Sequence, residues 1–405
     1  MAGTDEVLFS LLADEDRRQA ETLTLIASEN HTSLAVRRAV ASRTTDKYAE
    51  GYPAARYYGG CEVVDQIESL AIERALALFP GADHANVQPH SGTTANLEVL
   101  TALAGPGGRI VGMALAAGGH LSHGHKVSHT GKFFDAKQYG TNPETGLLDY
   151  DEVEALVQEH KPKVLIAGGS AYPREIDYAR MAAIAHAADA YFLADIAHPA
   201  GLIAAGVMPS PLPHADVVTM TTHKTLRGPR GGMILCRQDL AKSIDRSAFP
   251  GAQGGPLVHH IAGKAVAFGE ANTDAFRTYQ KSVKANAAHL AQTLADASLS
   301  IVTGGTDSHV VLVDLREAGM TGAELEDKAR AANLVINKNA VPNDPRPPRE
   351  TSGIRVGTAA ATTRGMGTGE MEGIARVLIG LVRGESPESF RGTVGELCEG
   401  FPLPD

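Results

Sequence analysis

Cysteine is scarce in this chain. Its 405 residues hold three, Cys61, Cys236 and Cys398, odd in number and far apart. That pattern excludes a disulfide framework and the close spacings of a zinc site, and it fits reduced thiols in a cytosolic protein. Long apolar runs are missing as well, and no stretch reaches the ~18 residues of a membrane span. The opening residues, Met1 to Glu6, place no basic region ahead of an apolar run, so no secretory signal is expected and the expected location is cytoplasmic. Excess positive charge is also absent. A formal net charge of −10 argues against a nucleic-acid partner bound by neutralising phosphates, while leaving room for small basic pockets. There is no internal repeat and no long low-complexity linker.

What is present is ordinary for a globular protein: 43% hydrophobic and 21% charged residues. The length suits one large and one smaller domain. The 43 glycines gather in motifs rather than tracts. Short apolar runs of buried-strand type, Arg109 to Met113, Val164 to Ala167, Tyr191 to Ala194 and Val217 to Thr221, alternate with helical stretches such as Asp151 to His160 and Tyr178 to Ala188. Met233 to Cys236 reads as another strand after a Gly-rich turn. Alternation of this kind predicts an α/β fold built on a mainly parallel sheet. An amphipathic stretch from Thr278 to Ala297 follows, then a strand at His309 to Leu315 and a helix at Thr321 to Ala332. The expected division is an N-terminal arm over residues 1–42 that packs on something else, a large domain over 43–270 and a smaller α+β domain over 271–405.

Several residues carry chemistry by type and position. Asp195 ends an apolar run, and ligands of open α/β sheets bind outside the carboxyl ends of strands. A carboxylate there pairs with a protonated ring nitrogen; an aspartate that merely caps a turn is the plainer reading. His198 follows three residues later. Lys224, in Thr221-Thr222-His223-Lys224-Thr225, sits at a strand end before the turn Gly228 to Gly232. A lysine there forms an imine once desolvation or a neighbouring cation removes its proton; alone, it reads more simply as a surface lysine. Ser91-Gly92-Thr93-Thr94 opens a helix-like segment, where backbone N–H groups favour phosphate. Gly254-Gly255 is a second, weaker phosphate loop. Arg355 offers a guanidinium that matches a carboxylate in bidentate fashion. His120, His123, His125 and His129 cluster locally but lack a carboxylate or cysteine to complete a metal set, so no metal is expected. A ring-nitrogen acid, an imine lysine, phosphate turns and a carboxylate clamp together describe one chemistry, that of a carbonyl cofactor.

The sequence closely resembles the serine hydroxymethyltransferase family of fold-type-I pyridoxal-phosphate enzymes. The resemblance rests on long motifs spread over nearly the whole chain. They include Leu25-Ile26-Ala27-Ser28-Glu29-Asn30, Lys47-Tyr48-Ala49-Glu50-Gly51-Tyr52-Pro53 and Arg56-Tyr57-Tyr58-Gly59-Gly60-Cys61-Glu62. Asn86-Val87-Gln88-Pro89-His90-Ser91-Gly92, Gly118-Gly119-His120-Leu121, Thr222-His223-Lys224-Thr225 and Val341-Pro342-Asn343-Asp344-Pro345 continue the series. It implies an aminotransferase-like fold with helices on both faces of a mixed, mainly parallel sheet. It also implies pyridoxal 5'-phosphate as cofactor, tetrahydrofolate as co-substrate, and interconversion of L-serine and glycine. Lys224 matches the Schiff-base lysine, Asp195 the partner of the ring nitrogen and His120 the histidine stacked on the ring. Ser170 and His198 match residues near the ring's phenolic oxygen, and Ser91, Gly92 and Thr93 the phosphate turn. Gly254 and Gly255 match a phosphate contact from a neighbouring subunit. Ser28 and Arg355 match the holders of the amino acid's carboxylate. Glu50 matches the proton-transfer carboxylate, Tyr48, Tyr57 and Tyr58 the site tyrosines, and His223, with Thr221 before it, the group beside the imine. Leu115, Gly119, Leu121 and Asn339 match residues around the folate. Because Tyr48, Glu50 and Tyr57 would reach across from a second subunit, the resemblance implies a homodimer with shared active sites, or a tetramer.

The chain departs from the family pattern at four places. Thr94 stands where glutamine is usual, Ala359 where proline is usual, and Pro199 where a bulky apolar residue is common. Arg349 replaces an aromatic or methionine near the folate, where it is a candidate partner of folate's glutamate tail. These changes leave the cofactor residues intact and bear on the acceptor instead. The alternative is therefore a folate-independent or altered-acceptor paralogue, such as a threonine transaldolase or aldolase or an α-methylserine-type hydroxymethyltransferase. A non-enzymatic binding protein is the third reading.

Overall fold

The computed structural model describes residues 5–404. Its centre is a seven-stranded sheet in the order His84–Asn86, Gly232–Cys236, Val217–Thr221, Tyr191–Asp195, Val164–Ala167, Arg109–Met113, Asp135–Tyr139. Gly232–Cys236 runs antiparallel to both of its neighbours, and the remaining pairings are parallel. The apolar runs read from the sequence are these strands. Their near-continuous hydrophobicity is what burial on both faces requires. Val111, Met113, Leu165, Phe192, Val218 and Met220 point to one core, shared with the helices Glu62–Leu78, Tyr150–His160 and Tyr178–His186. The alternate residues Ile110, Val164, Ile166, Leu193 and Val217 point to the opposite core, against Gly92–Leu103 and Gln238–Arg246. The fold is thus α/β with helices on both faces of a mixed, mainly parallel sheet.

A second, four-stranded antiparallel sheet follows in the order Ser300–Ile301, Val310–Asp314, Gly353–Gly357, Asn337–Asn339. It builds its own core with the helices Gly322–Ala331 and Thr368–Val382. The long helix Asp274–Asp296 serves two cores: Phe276 and Val283 belong to the first, Ala287, Leu290 and Leu294 to the C-terminal one. This helix starts four residues before Thr278, because Thr273 caps it by accepting a hydrogen bond from the Phe276 amide at 3.3 Å. The helix from Tyr178 stops at His186, where the chain turns through Asp189 at positive φ.

The N-terminal segment divides in its behaviour. Leu23–Thr24 pairs in parallel with Leu334–Val335, and Leu23 and Leu25 are fully buried in the C-terminal core. The preceding helix Glu6–Glu21 buries no residue and exposes Val7, Leu8, Phe9, Leu11 and Leu12. No helix among the described residues is long and apolar enough to cross a membrane.

Candidate active site

The loops that leave the carboxyl ends of the parallel strands converge on one cavity of about 490 Å³. This is where the geometry of an open α/β sheet puts ligands. Leu115, Gly119, His120 and Leu121 arrive after Met113, Ser170 after Ala167, His198 after Asp195, and Thr221, His223 and Lys224 at and after the end of Val217–Thr221. Ser91, Gly92 and Thr93 enter from the far edge of the sheet. Ser28, Asn339 and Arg355 close the cavity from the N-terminal segment and the second sheet.

Asp195 is 8% exposed and fully engaged. Its Oδ2 accepts from His123 Nε2 at 2.9 Å and from Asn96 Nδ2 at 2.8 Å, and its Oδ1 accepts from the Ala197 amide at 3.0 Å. Burial alone would raise this carboxyl. The hydrogen bond from His123, with help from His120 and Asn96, holds it well below the usual carboxylate range. Asn96 is itself fixed, because its Oδ1 accepts from Thr219 Oγ1 at 2.6 Å. The His123 ring donates through Nε2 and accepts the His120 amide at Nδ1, 3.3 Å away, which fixes its tautomer. His120 is anchored through Nδ1 to Ser122 Oγ at 2.7 Å, and burial pushes its ring down to about 4.

Lys224 is buried, and its ammonium makes no hydrogen bond among the described residues. Burial pushes it down to about 8; Asp195 pulls the other way, and Arg355 and Arg230 add to the depression. The main chain around it is tied in place. Its carbonyl accepts from Asn30 Nδ2 at 2.9 Å, and Thr225 Oγ1 donates to the His198 carbonyl at 2.6 Å. His223 is pushed to about 3 by burial and by the cations Arg230 and Lys224. His198 stacks on His309 with ring centroids 5.5 Å apart, and burial keeps its ring neutral.

Ser91 caps the helix Gly92–Leu103 by accepting from the Thr94 amide at 3.1 Å, which leaves the amides of Gly92 and Thr93 free at the helix start. A Cβ at Gly92 would lie 2.8 Å from Thr221 Cγ2, so a larger residue there would push the Thr221 side chain aside. Gly118, at φ +98°, folds the Leu115–Leu121 loop so that its carbonyl accepts the Ser170 and Ala171 amides at 2.6 and 3.0 Å. Arg355 donates through Nη1 to the Ser170 carbonyl at 2.7 Å and through Nε to Asn337 Oδ1 at 3.2 Å. Burial lowers its guanidinium to about 10.

Six residues singled out from the sequence lie off this cavity. Tyr48, Glu50, Tyr57, Tyr58, Gly254 and Gly255 sit around one exposed patch. Tyr48 Oη donates to Glu50 Oε1 at 3.3 Å, and the Tyr48 and Tyr58 rings meet edge to face at 5.2 Å. A Cβ on Gly254 would lie 3.4 Å from Glu50 Oε1, and one on Gly255 3.4 Å from the Tyr48 ring. Arg349 is also outside the cavity. Its side chain is 86% exposed, with Glu350 the nearest acid at 3.8 Å. The histidine cluster is split: His120 and His123 face the cavity, while His129 packs edge-on against Phe133. Among the described residues no group of His, Cys, Asp and Glu is arranged to hold a metal ion.

Sequence reading passed over Asn96 and Arg230 and gave His123 no partner. Asn96 stands five residues after Ser91, one and a half helical turns into the helix, but nothing in the sequence connects it to Asp195. A sequence model of a family described as serine hydroxymethyltransferase matches residues 1–378 of the chain.

Proposed function

The chain belongs to the serine hydroxymethyltransferase family, and on that premise we propose that it interconverts L-serine and glycine, passing the one-carbon unit to tetrahydrofolate. Enzymes of the family are pyridoxal-phosphate-dependent transferases, with tetrahydrofolate as co-substrate. The cavity residues fit that cofactor. A buried lysine without a hydrogen-bond partner among the described residues, an ionised buried aspartate and a helix start crowded against Thr221 at Gly92 match an aldehyde, a ring nitrogen and a phosphate. Bound there, pyridoxal phosphate supplies an electrophilic carbonyl and a ring that takes up the electron pair left when a bond at the α-carbon breaks.

The observation that carries the proposal is the convergence of Lys224, Asp195 and Arg355 with Leu115, Gly119, Leu121 and Asn339 on one cavity. Lys224, lowered to about 8, would be the amine that holds the cofactor's aldehyde. Asp195 keeps its negative charge and holds a proton on the ring nitrogen. His120 would bound the ring, and the Ser91–Thr93 turn would hold the phosphate. Ser170 and neutral His198 orient the phenolic oxygen. Arg355, with Ser28, would hold the amino acid's carboxylate and so orient its α-carbon in the cavity. The lining from Leu115 to Leu121, with Asn339, offers the apolar and amide surface for the folate ring.

Glu50 is the proposed proton carrier at the hydroxymethyl oxygen. It is remote from the cavity of its own chain and clustered with Tyr48, Tyr57, Tyr58, Gly254 and Gly255, which supports delivery into a second copy's site. The helix Glu6–Glu21, with exposed apolar residues and no buried one, suits the same homodimer.

The deciding experiment is purified protein with L-serine, with and without tetrahydrofolate. Formation of glycine and methylenetetrahydrofolate only when folate is present is the expected result. If neither forms, while L-threonine plus an aldehyde yields a new β-hydroxy amino acid, the folate reading is wrong and the altered-acceptor reaction is the activity. The departures at Thr94, Pro199, Arg349 and Ala359 make that comparison necessary.

A further inference from the structure

Lys264 lies in the helix Val258–Ala271, is 1% exposed and lines no part of the cavity. Its ammonium donates to three main-chain carbonyls: Val87 at 2.6 Å, Gly232 at 2.8 Å and Pro89 at 3.1 Å. Val87 and Pro89 lead directly into Ser91. Gly232 begins the neighbouring strand, and its own amide donates to the same Pro89 carbonyl at 2.9 Å. The backbones are so close that any Cβ on Gly232 would collide with the Ser91 carbonyl. Lys264 thus binds the base of the phosphate turn to the sheet.

Only the charged form of lysine has three N–H donors, so the three carbonyls are arranged for an ammonium. Burial works against that charge, while Glu98 and Glu68 favour it. Neither acid cancels it. Glu68 is engaged by Arg56 at 2.5 Å and by Gln88 Nε2 at 2.8 Å. Burial pushes Glu98 up to about 8, so it is neutral at pH 7. Burial lowers the ammonium to about 7, and the three carbonyl acceptors favour the protonated form, which places a positive charge behind the turn. It contributes, after burial, to the depression of His90, the residue directly before Ser91.

We propose that Lys264 is a positioning residue and built-in cation that shapes the Ser91–Thr93 turn and makes the site prefer a phosphorylated cofactor over its dephosphorylated form. The inference rests on the assignment of the cavity to pyridoxal phosphate, and goes beyond it by giving a task to a lysine that touches no ligand. A buried ammonium near an anion site acts in low dielectric, where charge is poorly screened.

The test uses cofactor-free wild type, Lys264→Met and Gly231→Ala. A Cβ at Gly231 would lie 2.5 Å from Lys264 Cε and 3.0 Å from its Nζ, so Gly231→Ala displaces the ammonium without deleting it. The chain has no tryptophan, so uptake of pyridoxal phosphate, pyridoxal and inorganic phosphate is followed by equilibrium dialysis. In Lys264→Met, affinity for pyridoxal phosphate and for inorganic phosphate should fall about 10-fold, from loss of a poorly screened charge and of the tie that shapes the turn. Affinity for pyridoxal should stay as in wild type. A folded Lys264→Met protein with an unchanged ratio of the two cofactor affinities overturns the proposal. If Lys264→Met does not fold, Gly231→Ala decides: a lost preference for the phosphorylated form supports the assignment, and a retained one refutes it. Wild type that takes up no pyridoxal phosphate would instead refute the cofactor assignment on which the inference rests.

Discussion

Replacing Glu98 by glutamine should stabilise the protein by an amount that grows with pH. Glu98 lies on the helix Gly92–Leu103, is 0% exposed, and neither carboxylate oxygen has a hydrogen-bond partner among the described residues. Burial raises its pKa from 4.5 to about 8, against the pull of Lys264. In the unfolded chain the same group titrates at its ordinary value. Below pH 4.5 it is protonated in both states and carries no ionic penalty. Between 4.5 and about 8 the folded state must hold a proton that the unfolded state has released, so stability falls as pH rises. That interval of about 3.5 pH units, at about 1.36 kcal/mol each, amounts to a penalty on the order of 5 kcal/mol by pH 8. Glutamine has nearly the shape of the protonated acid and does not titrate, so the variant escapes the penalty and keeps the same desolvation cost. The assay is urea unfolding of both proteins at pH values from acid to mildly alkaline, read by circular dichroism. The difference between the two proteins cancels the titrating groups that do not interact with Glu98, leaving Glu98 and its coupled neighbour Lys264. A difference that does not change with pH, or one that shifts in favour of wild type as pH rises, refutes the reasoning and would mean that Lys264 pairs with an ionised Glu98.

The remaining predictions concern the cavity. Lys224→Ala should retain cofactor through the phosphate and ring contacts while turnover drops on the order of 10²–10⁴-fold, the usual range for losing a group that handles protons in the transition state; near-wild-type turnover would show the lysine to be misassigned. Arg355→Ala should raise the Michaelis constant for serine about 10- to 100-fold, as expected for a lost charged hydrogen bond of about 1.5–3 kcal/mol. A Michaelis constant close to wild type removes the clamp assignment. His123→Leu takes away the main group that holds the Asp195 carboxyl low. Asp195 then protonates at a higher pH, and the acid limb of the kcat/KM profile moves upward; an unmoved limb would exclude Asp195 as its source. Finally, Lys224→Ala and Glu50→Gln proteins, each nearly inactive, should regain activity when mixed under subunit exchange, because one hybrid site carries both native residues. No recovery, with hybrids demonstrated by native mass spectrometry, would place Glu50 in its own chain's site.

The strands were legible because a sheet buried on both faces demands unbroken apolar runs. Arg109–Met113, Val164–Ala167 and Val217–Thr221 stand where the sequence put them. Helix ends were less legible. Thr273 starts the long helix by a cap, and a single hydroxyl leaves no periodic trace. Lys224, Asp195 and the Ser91 turn drew notice because each ends or begins an element, and strand ends are where ligands gather. The family resemblance supplied their roles.

Other features could not be read along the chain. His123 looked like one of several clustered histidines, and its bond to Asp195 spans 72 positions. Leu23 and Leu25 read as part of an arm, yet they fill the C-terminal core beside Leu334. Glu98 and Lys264 carried no signal in the sequence reading. The sequence by itself determined which segments form strands and most helices and which side chains stood out as candidates, because hydrophobic period and residue type are local properties. Only the tertiary structure decided which charges are stripped of water, which acids lose their partners and which lysine stands behind the phosphate turn. Those properties depend on what the rest of the chain packs around a residue, and packing joins positions far apart in sequence.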